Sequence, residues 1–426
     1  MIKKICLVIS VLLVNFTAFS QNFDTYFLDK TLRINYLHIG NATEESFKVE
    51  SFSAGSEWYG TRASLIEPHQ YGHILFQVYD EATNALIFSK SYSSLFMEYK
   101  TTARAEKETG FFEECVLLPF PKQTIRYTFT SLSQTLEAKE LLSGTFNPKT
   151  ATVIPFKQEY KMVDLYVKGN SKKSLDLLFI PDGYSKKDKK LLKTDMERFA
   201  SYITNCSPYK DNLDRLNIRY IECYSEESGV SDPNLNIKKN TILNSSYNTI
   251  DLDRYLMCLN VWKLHEIADD APYDIIAIIC NSKKYGGGGI YNFYASVNSD
   301  DKNSDYVIIH ELGHTMVGLA DEYYTSEVSV QNFYPETVEP LEPNLTTLVN
   351  FESKWKSFVG KNIPIPTPNT AEFAKVTGAF EGGGYVSEGV YRPAQTCSMK
   401  DIIYNKFCPV CTYAFFKTFE YYSNEL

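Results

Sequence analysis

The stretch SDYVIIHELGHTMVGLADEYY, Ser304 to Tyr324, constrains this chain more than any other. His310 and His314 are four residues apart, so on an α-helix they share a face, about 40° from one another. Two imidazoles so placed can approach one metal ion, at roughly 2.0–2.1 Å for zinc. Glu311 lies between them, beside the open coordination position, where it can take a proton from a zinc-bound water. Tyr306 to Ile309 are apolar, and Ser304 or Asp305 can cap the helix start. The local sequence therefore supports the buried helix that this spacing requires. A bare His-Glu-x-x-His also arises in helices that carry two ordinary histidines. Against that, only His265 competes outside the N-terminal region, and candidates for a third ligand follow at short range.

Those candidates are Asp321 and Glu322. On a straight helix Asp321 would lie about 10 Å beyond His314, at ~1.5 Å per residue, too far to share an ion. The chain must fold back, and Gly318 is placed to end the helix in the left-handed conformation. The metzincin pattern H-E-x-x-H-x-x-G-x-x-H uses the same device. Here the glycine comes one residue later and the ligand position holds an aspartate. Asp321 is favoured over Glu322 because its interval from the glycine matches the pattern. Glu336, Glu339 and Glu342 are later alternatives, but their proline-rich surroundings disfavour a ligand-bearing helix. If the comparison holds, a methionine turn follows downstream, and RPAQTCSMKD offers Met399. Taken alone, Met399 reads as an ordinary core methionine.

Around this motif the chain divides into three. MIKKICLVISVLLVNFTAFSQ has a basic start, an apolar run shorter than the ~20 residues of a membrane span, and small residues before Gln21. It reads as a secretory leader, residues 1–20, so the protein is expected in the periplasm or outside the cell. No other apolar stretch is long enough to span a membrane. Residues 21–155 carry short β-rich runs separated by turns, among them LRINYLHIGN, HILFQVYD and TIRYTFTSL. Their spacing predicts a β-sandwich, a packing or binding module without a catalytic constellation. Residues 156–426 alternate strand and helix patterns, which predicts a mixed sheet with helices on its faces. IDLDRYLMCLNVWKLHEIAD is read there as a helix. The net charge of −9 and the lack of a basic stripe exclude nucleic acid as a partner.

Three segments occur in order behind the β-rich region: HELGHTMVGLADEYY, GAFEGGGYVSEGVYRP and CSMKDIIYNKFCPVC. In this they resemble the secreted bacterial zinc metallopeptidases of the IgA-peptidase family. The resemblance covers most of the mature chain and is strongest from Tyr273 to Tyr413. It implies an α+β architecture: an N-terminal antiparallel β-sandwich, then a metzincin-like α/β zinc peptidase domain with a mixed sheet and an active-site helix. Carried across, His310, His314 and Asp321 match the ligands of one catalytic zinc, and Glu311 the catalytic acid. Immunoglobulin A as a substrate does not transfer with the fold.

Other features divide between function and structure. Gly286 to Gly289 would let an edge strand approach an extended substrate backbone, with Gly288 and Gly289 as contacts, or they form a flexible hairpin. Tyr391 or Arg392 could stabilise an oxyanion, as could Tyr385 or Tyr404. A leader and an even count of eight remaining cysteines favour disulfides, and a bridge from Cys397 to Cys408 or Cys411 is expected over a zinc site with only three evident ligands. The expected activity is zinc-dependent cleavage of extracellular proteins or peptides. Two alternatives stand beside it. One is a zinc-containing protein whose sandwich attaches to a protein or glycan surface without turnover. The other is an amidase acting on cell-wall amides.

Overall fold

The structure, a computed structural model, describes residues 22–324 and 333–423. The expected leader, residues 1–20, lies outside the described residues. Among those described, no helix is long and apolar enough to cross a membrane.

After a one-turn helix α1 (Phe23–Tyr26), eight strands follow. They are β1 (Phe27–Gly40), β2 (Glu45–Ala54), β3 (Ile74–Asp80), β4 (Leu86–Tyr92), β5 (Gly110–Pro121), β6 (Ile125–Leu132), β7 (Ala138–Phe146) and β8 (Val153–Ile154). They form two four-stranded sheets, ordered β5-β1-β2-β8 and β4-β3-β6-β7. The pairing is antiparallel except between β2 and β8. Alternation sets the inner faces: along β3, Ile74, Phe76 and Val78 are buried while Leu75 and Gln77 are only partly covered. Across the gap, the rings of Tyr36 and Phe47 lie 5.0 and 5.4 Å from that of Phe129. Two sheets joined through such contacts are a β-sandwich. Strand β7 escapes the sequence reading because its side chains are mostly polar and exposed. A second short helix, α2 (Leu95–Tyr99), interrupts the strands.

The remaining elements are β9 (Lys161–Tyr166), β10 (Leu175–Asp182), α3 (Lys189–Thr204), β11 (Leu216–Glu222), α4 (Val261–Ala268), β12 (Ile275–Cys280), β13 (Gly287–Ile290), β14 (Tyr294–Asn298), α5 (Ser304–Val317), β15 (Phe380–Gly383), β16 (Val386–Arg392) and α6 (Pro409–Tyr422). Six of the strands make one mixed sheet, ordered β13-β14-β12-β10-β11-β9. Its centre is parallel, and both outermost strands run antiparallel to their neighbours. Every residue of β10 and β12 is buried, as a sheet covered on both faces requires. Leu177, Phe179 and Ile279 face α3, α5 and α6 through Phe199, Leu312 and Phe415. Leu178, Ile180 and Ile278 face α4 and also meet Phe96 of α2. Each such side chain contributes about 1.5–3 kcal/mol by leaving water.

The helix expected over Ile250–Asp269 is shorter, starting only at Val261. Ile250 and Asp251 hold φ of 50° and 67°, which no right-handed helix allows. Met257 instead exchanges backbone hydrogen bonds with Ser246. Leu256, Met257 and Cys258, which suggested a helix, are buried loop residues.

The sandwich packs directly on the mixed sheet's unit. Arg33 of β1 forms a buried ion pair with Asp269 at 2.9 Å. The Trp262 indole donates to the Glu114 carbonyl at 2.9 Å, and the Tyr291 hydroxyl to Glu67 at 3.0 Å. Inside the sandwich, buried His38 lies 2.9 Å from Glu114 and 3.1 Å from Glu45, with the Phe96 ring over it. Burial opposes the charge on His38, but the two carboxylates outweigh it and raise its pKa above 6.5. Burial likewise opposes the charge on Glu45, and His38 and Lys100 bring it down from 4.5 to about 2. A depressed carboxyl stabilises the fold above its unfolded pKa and loses that contribution as pH falls through the folded value. The raised His38 contributes fully below 6.5 and loses its share as pH rises through its folded value. Glu45→Gln is therefore expected to cost on the order of 1.5–3 kcal/mol near pH 5–6. Denaturant melts across pH check this: the gap between the two proteins should close as pH falls from 4.5 to about 2.

Candidate active site and metal centre

Helix α5 buries Ile308, Ile309, Leu312 and Met316 against the sheet. This turns His310, Glu311 and His314 toward a cavity of about 430 Å³. The helix stops at Gly318, whose φ of 71° and ψ of 28° are left-handed. The Gly318 N–H donates to the His314 carbonyl, the 5→1 bond of an αL cap, and the Leu319 N–H donates to that of Gly313. A side chain at Gly318 would also lie 2.9 Å from Cβ of Tyr71. The chain then folds back and brings Asp321 Oδ1 to 3.0 Å from His310 Nε2 and 3.4 Å from His314 Nε2.

The residues present fit a metal cation. His310 Nδ1 is 2.9 Å from the Ser398 carbonyl and His314 Nδ1 is 2.6 Å from that of Leu319. A carbonyl only accepts, so each Nδ1 carries a proton and each ring turns its Nε2 inward. The two Nε2 atoms are 3.1 Å apart. Asp321 Oδ1 is buried beside them without a hydrogen-bond partner. Three acceptors thus converge with a ligand spacing of under 4.8 Å, and backbone carbonyls orient both rings as they do in histidine metal sites. Burial opposes charge on Asp321, yet the histidines outweigh it and hold its carboxyl well below 3.8. The same field acts on His314: burial opposes its positive charge, Asp321 outweighs that, and the pKa rises to about 9. A site that draws in a proton this strongly favours a cation in its place.

Glu311 is half-buried on the cavity floor. Burial raises it above 4.5, with His310 and His314 pulling the other way. A raised carboxylate at the mouth of such a site is suited to accept and return a proton. Met399 is fully buried, with its sulfur 2.8 Å from where a side chain on Gly313 would begin. Only a glycine there admits it. Met399 and Ser398 thus form the bed under α5, and the Met399 carbonyl accepts from the Glu322 N–H at 2.8 Å.

Gly286 to Gly289 line the cavity, and β13 is an edge strand. A side chain on Gly289 would strike the Glu311 carbonyl, so only glycine lets this strand run across α5. At Gly287 the edge is occupied, because its N–H donates to the Arg254 carbonyl. Tyr391 and Arg392 are not brought to the cavity. Tyr391 pairs with Thr346 in an isolated bridge, and Arg392 is buried with its guanidinium on the Glu381 carbonyl at 2.6 Å. Tyr404 is also turned away, donating to the Tyr202 carbonyl. Of the four oxyanion candidates only Tyr385 reaches the site, where its hydroxyl donates to Asp321 Oδ2 at 2.6 Å. Its φ of 72° is strained for a bulky residue, at a cost of about 1–3 kcal/mol. Glu342 lines the cavity but is engaged by the Tyr334 hydroxyl.

One wall comes from the sandwich: Tyr71, His73, Ser94, Met97 and Glu98 all line the cavity. Burial pushes Glu98 up to about 7, against a bond from the Tyr255 hydroxyl at 2.7 Å. Arg254, Tyr255 and Tyr323 also line the cavity. The sequence reading missed these residues, which carry no local spacing signal.

A paired-histidine helix with a folded-back carboxylate, set beside an edge strand of a mixed sheet, is an arrangement that can hold a metal ion next to an extended chain. The IgA Peptidase M64 family model matches residues 163–375 and 369–419, and the model of the Peptidase M64 N-terminus matches residues 22–143. The chain belongs to the IgA peptidase M64 family, so it is a peptidase acting on protein or peptide. No curated protein matches it.

Proposed function

We propose that this chain is an exported zinc endopeptidase in which His310, His314 and Asp321 hold one zinc ion and Glu311 is the general base. The leader spans residues 1–20, the sandwich 21–155 and the catalytic unit 156–426. The observation that carries the reading is the convergence of two imidazole Nε2 atoms on one buried Asp321 oxygen. When bound, zinc supplies a Lewis acid for the scissile carbonyl and makes a neighbouring water more acidic.

The protein's own groups do the rest. Ser398 and Leu319 carbonyls keep both rings turned inward. Glu311 accepts the proton of the attacking water on its carboxylate and passes it to the leaving amine nitrogen. Tyr385, held at the site by its bond to Asp321, serves the developing oxyanion. The substrate lies extended along β13, beyond the occupied position at Gly287; the space beside Gly288 and Gly289 is taken by Tyr255, Met257 and the Glu311 carbonyl, so these two glycines seat the strand itself. The sandwich wall excludes water from one side and contributes to substrate choice. Its share in the cavity favours this reading over a separate attachment module.

The test is cleavage of a panel of denatured proteins. A chelator should abolish it, and stoichiometric zinc should restore most of it. New peptide termini in the product masses distinguish proteolysis from cleavage of cell-wall amides. Activity that survives complete metal removal would sink the proposal.

A further inference from the structure

Behind the loop that presents Asp321, four donor side chains meet that the peptidase reading does not use. They are Glu322, Cys397, Cys408 and Cys411. All four are buried, and one ligand atom from each lies within 4.8 Å of every other. The expected disulfide is not formed: the described cysteines are free thiols, and Cys397 Sγ lies 3.8 Å from Cys411 Sγ. Cys411 Sγ is 3.2 Å from Glu322 Oε1. Glu322 Oε2 is buried with no hydrogen-bond partner. Two backbone N–H groups point at sulfur, that of Cys408 at Cys397 and that of Cys411 at Cys408, both at 3.4 Å.

We propose that Glu322, Cys397, Cys408 and Cys411 form a second, structural zinc site. A buried carboxylate oxygen with no partner is costly unless a cation or proton meets it. Three sulfurs and one oxygen are a donor set for zinc, whereas magnesium and calcium take oxygen ligands. Tetrahedral coordination with Zn–S near 2.3 Å sets sulfurs about 3.8 Å apart, the spacing of Cys397 and Cys411, whereas a disulfide needs about 2.05 Å. Cys408 is the N-cap of α6, where the helix end favours a thiolate. The Arg392 guanidinium, buried and bonded to the Glu381 and Gly382 carbonyls, adds positive charge near Glu322. Four ligands leave no open position, which marks a structural site.

The site has a consequence for the cavity. It joins the Asp321–Glu322 loop, the segment leading to Met399, and the start of α6. Asn344 clamps the same loop, bonding Ala320 through both backbone groups and Glu322 at 3.0 Å. Asp321 and Met399 would thus be fixed from behind by a metal that never contacts substrate.

The test is zinc content of the full chain, by mass spectrometry of the metal, in the wild type and in the His310→Ala/His314→Ala variant. The expected values are two equivalents and one. Replacing the remaining zinc by cobalt in that variant should give the near-ultraviolet thiolate-to-cobalt absorption. Cys408→Ser should lose that absorption, and the readout in the histidine variant stands even if the serine variant misfolds. A histidine variant with no metal, or a disulfide among Cys397, Cys408 and Cys411 in unreduced peptides, would overturn the proposal. The catalytic reading fails separately, if the wild type holds only zinc that the histidine variant retains.

Discussion

Glu311→Gln is expected to lower kcat/KM for peptide cleavage by about 10²–10⁴, the range that a positioned proton-transfer group supplies. The substitution keeps the size and the hydrogen-bonding shape of the side chain and removes only its basicity. Glu311 makes no contact that holds the histidines. His310 is oriented by Ser398 and His314 by Leu319. Zinc content and thermal stability should therefore match the wild type while turnover collapses. Equal loss of metal and activity would mean that Glu311 supports the site rather than performing the proton transfer. Retained cleavage in a metal-loaded variant would remove Glu311 from the mechanism.

The second large effect is expected at Asp321. Asp321→Ala leaves two histidine ligands and deletes the carboxylate whose field most strongly favours a cation between them. Zinc affinity should fall by more than the roughly 10–100-fold that loss of an outer partner costs, with activity falling in step. Glu322 cannot take over. Its carboxylate faces Cys411 and Asn344, and its backbone N–H is held by the Met399 carbonyl. Competition with a chromophoric chelator measures the affinity. Unchanged affinity in Asp321→Ala would transfer the ligand role to another cavity carboxylate, with Glu342 first to examine.

The parts of this architecture that were legible in the sequence are those written in short-range spacing. Strands β1 to β6 are legible as short β-rich runs bounded by turn residues, and β3 alternates buried and partly covered positions throughout. Strand β7 does not, because it lies at a sheet edge with mostly solvated side chains. Leu256 and Met257 fit a helix period, yet they lie in a loop where Met257 pairs with Ser246. At the site, the interval from His310 through Gly318 to Asp321 is local, and the fold keeps these residues together. The sandwich wall is different in kind. Tyr71, His73 and Glu98 reach the cavity through long-range packing, with the Tyr71 ring near that of Tyr291 and Glu98 bonded by Tyr255. Glu322 joins the three cysteines through chain reversal, so the cysteine spacing by itself reads as an incomplete set. Tyr391 and Arg392 sit close to Met399 in sequence, yet the β15–β16 hairpin turns them elsewhere.

The most direct measurement is a crystal structure of the purified full chain with an anomalous difference map at the zinc edge. The account predicts a peak within about 2.0–2.2 Å of His310 Nε2, His314 Nε2 and an Asp321 oxygen, with the Glu311 carboxylate beside the open position. A zinc peak bound by the histidines and a different carboxylate, or no peak at the pair, would contradict it.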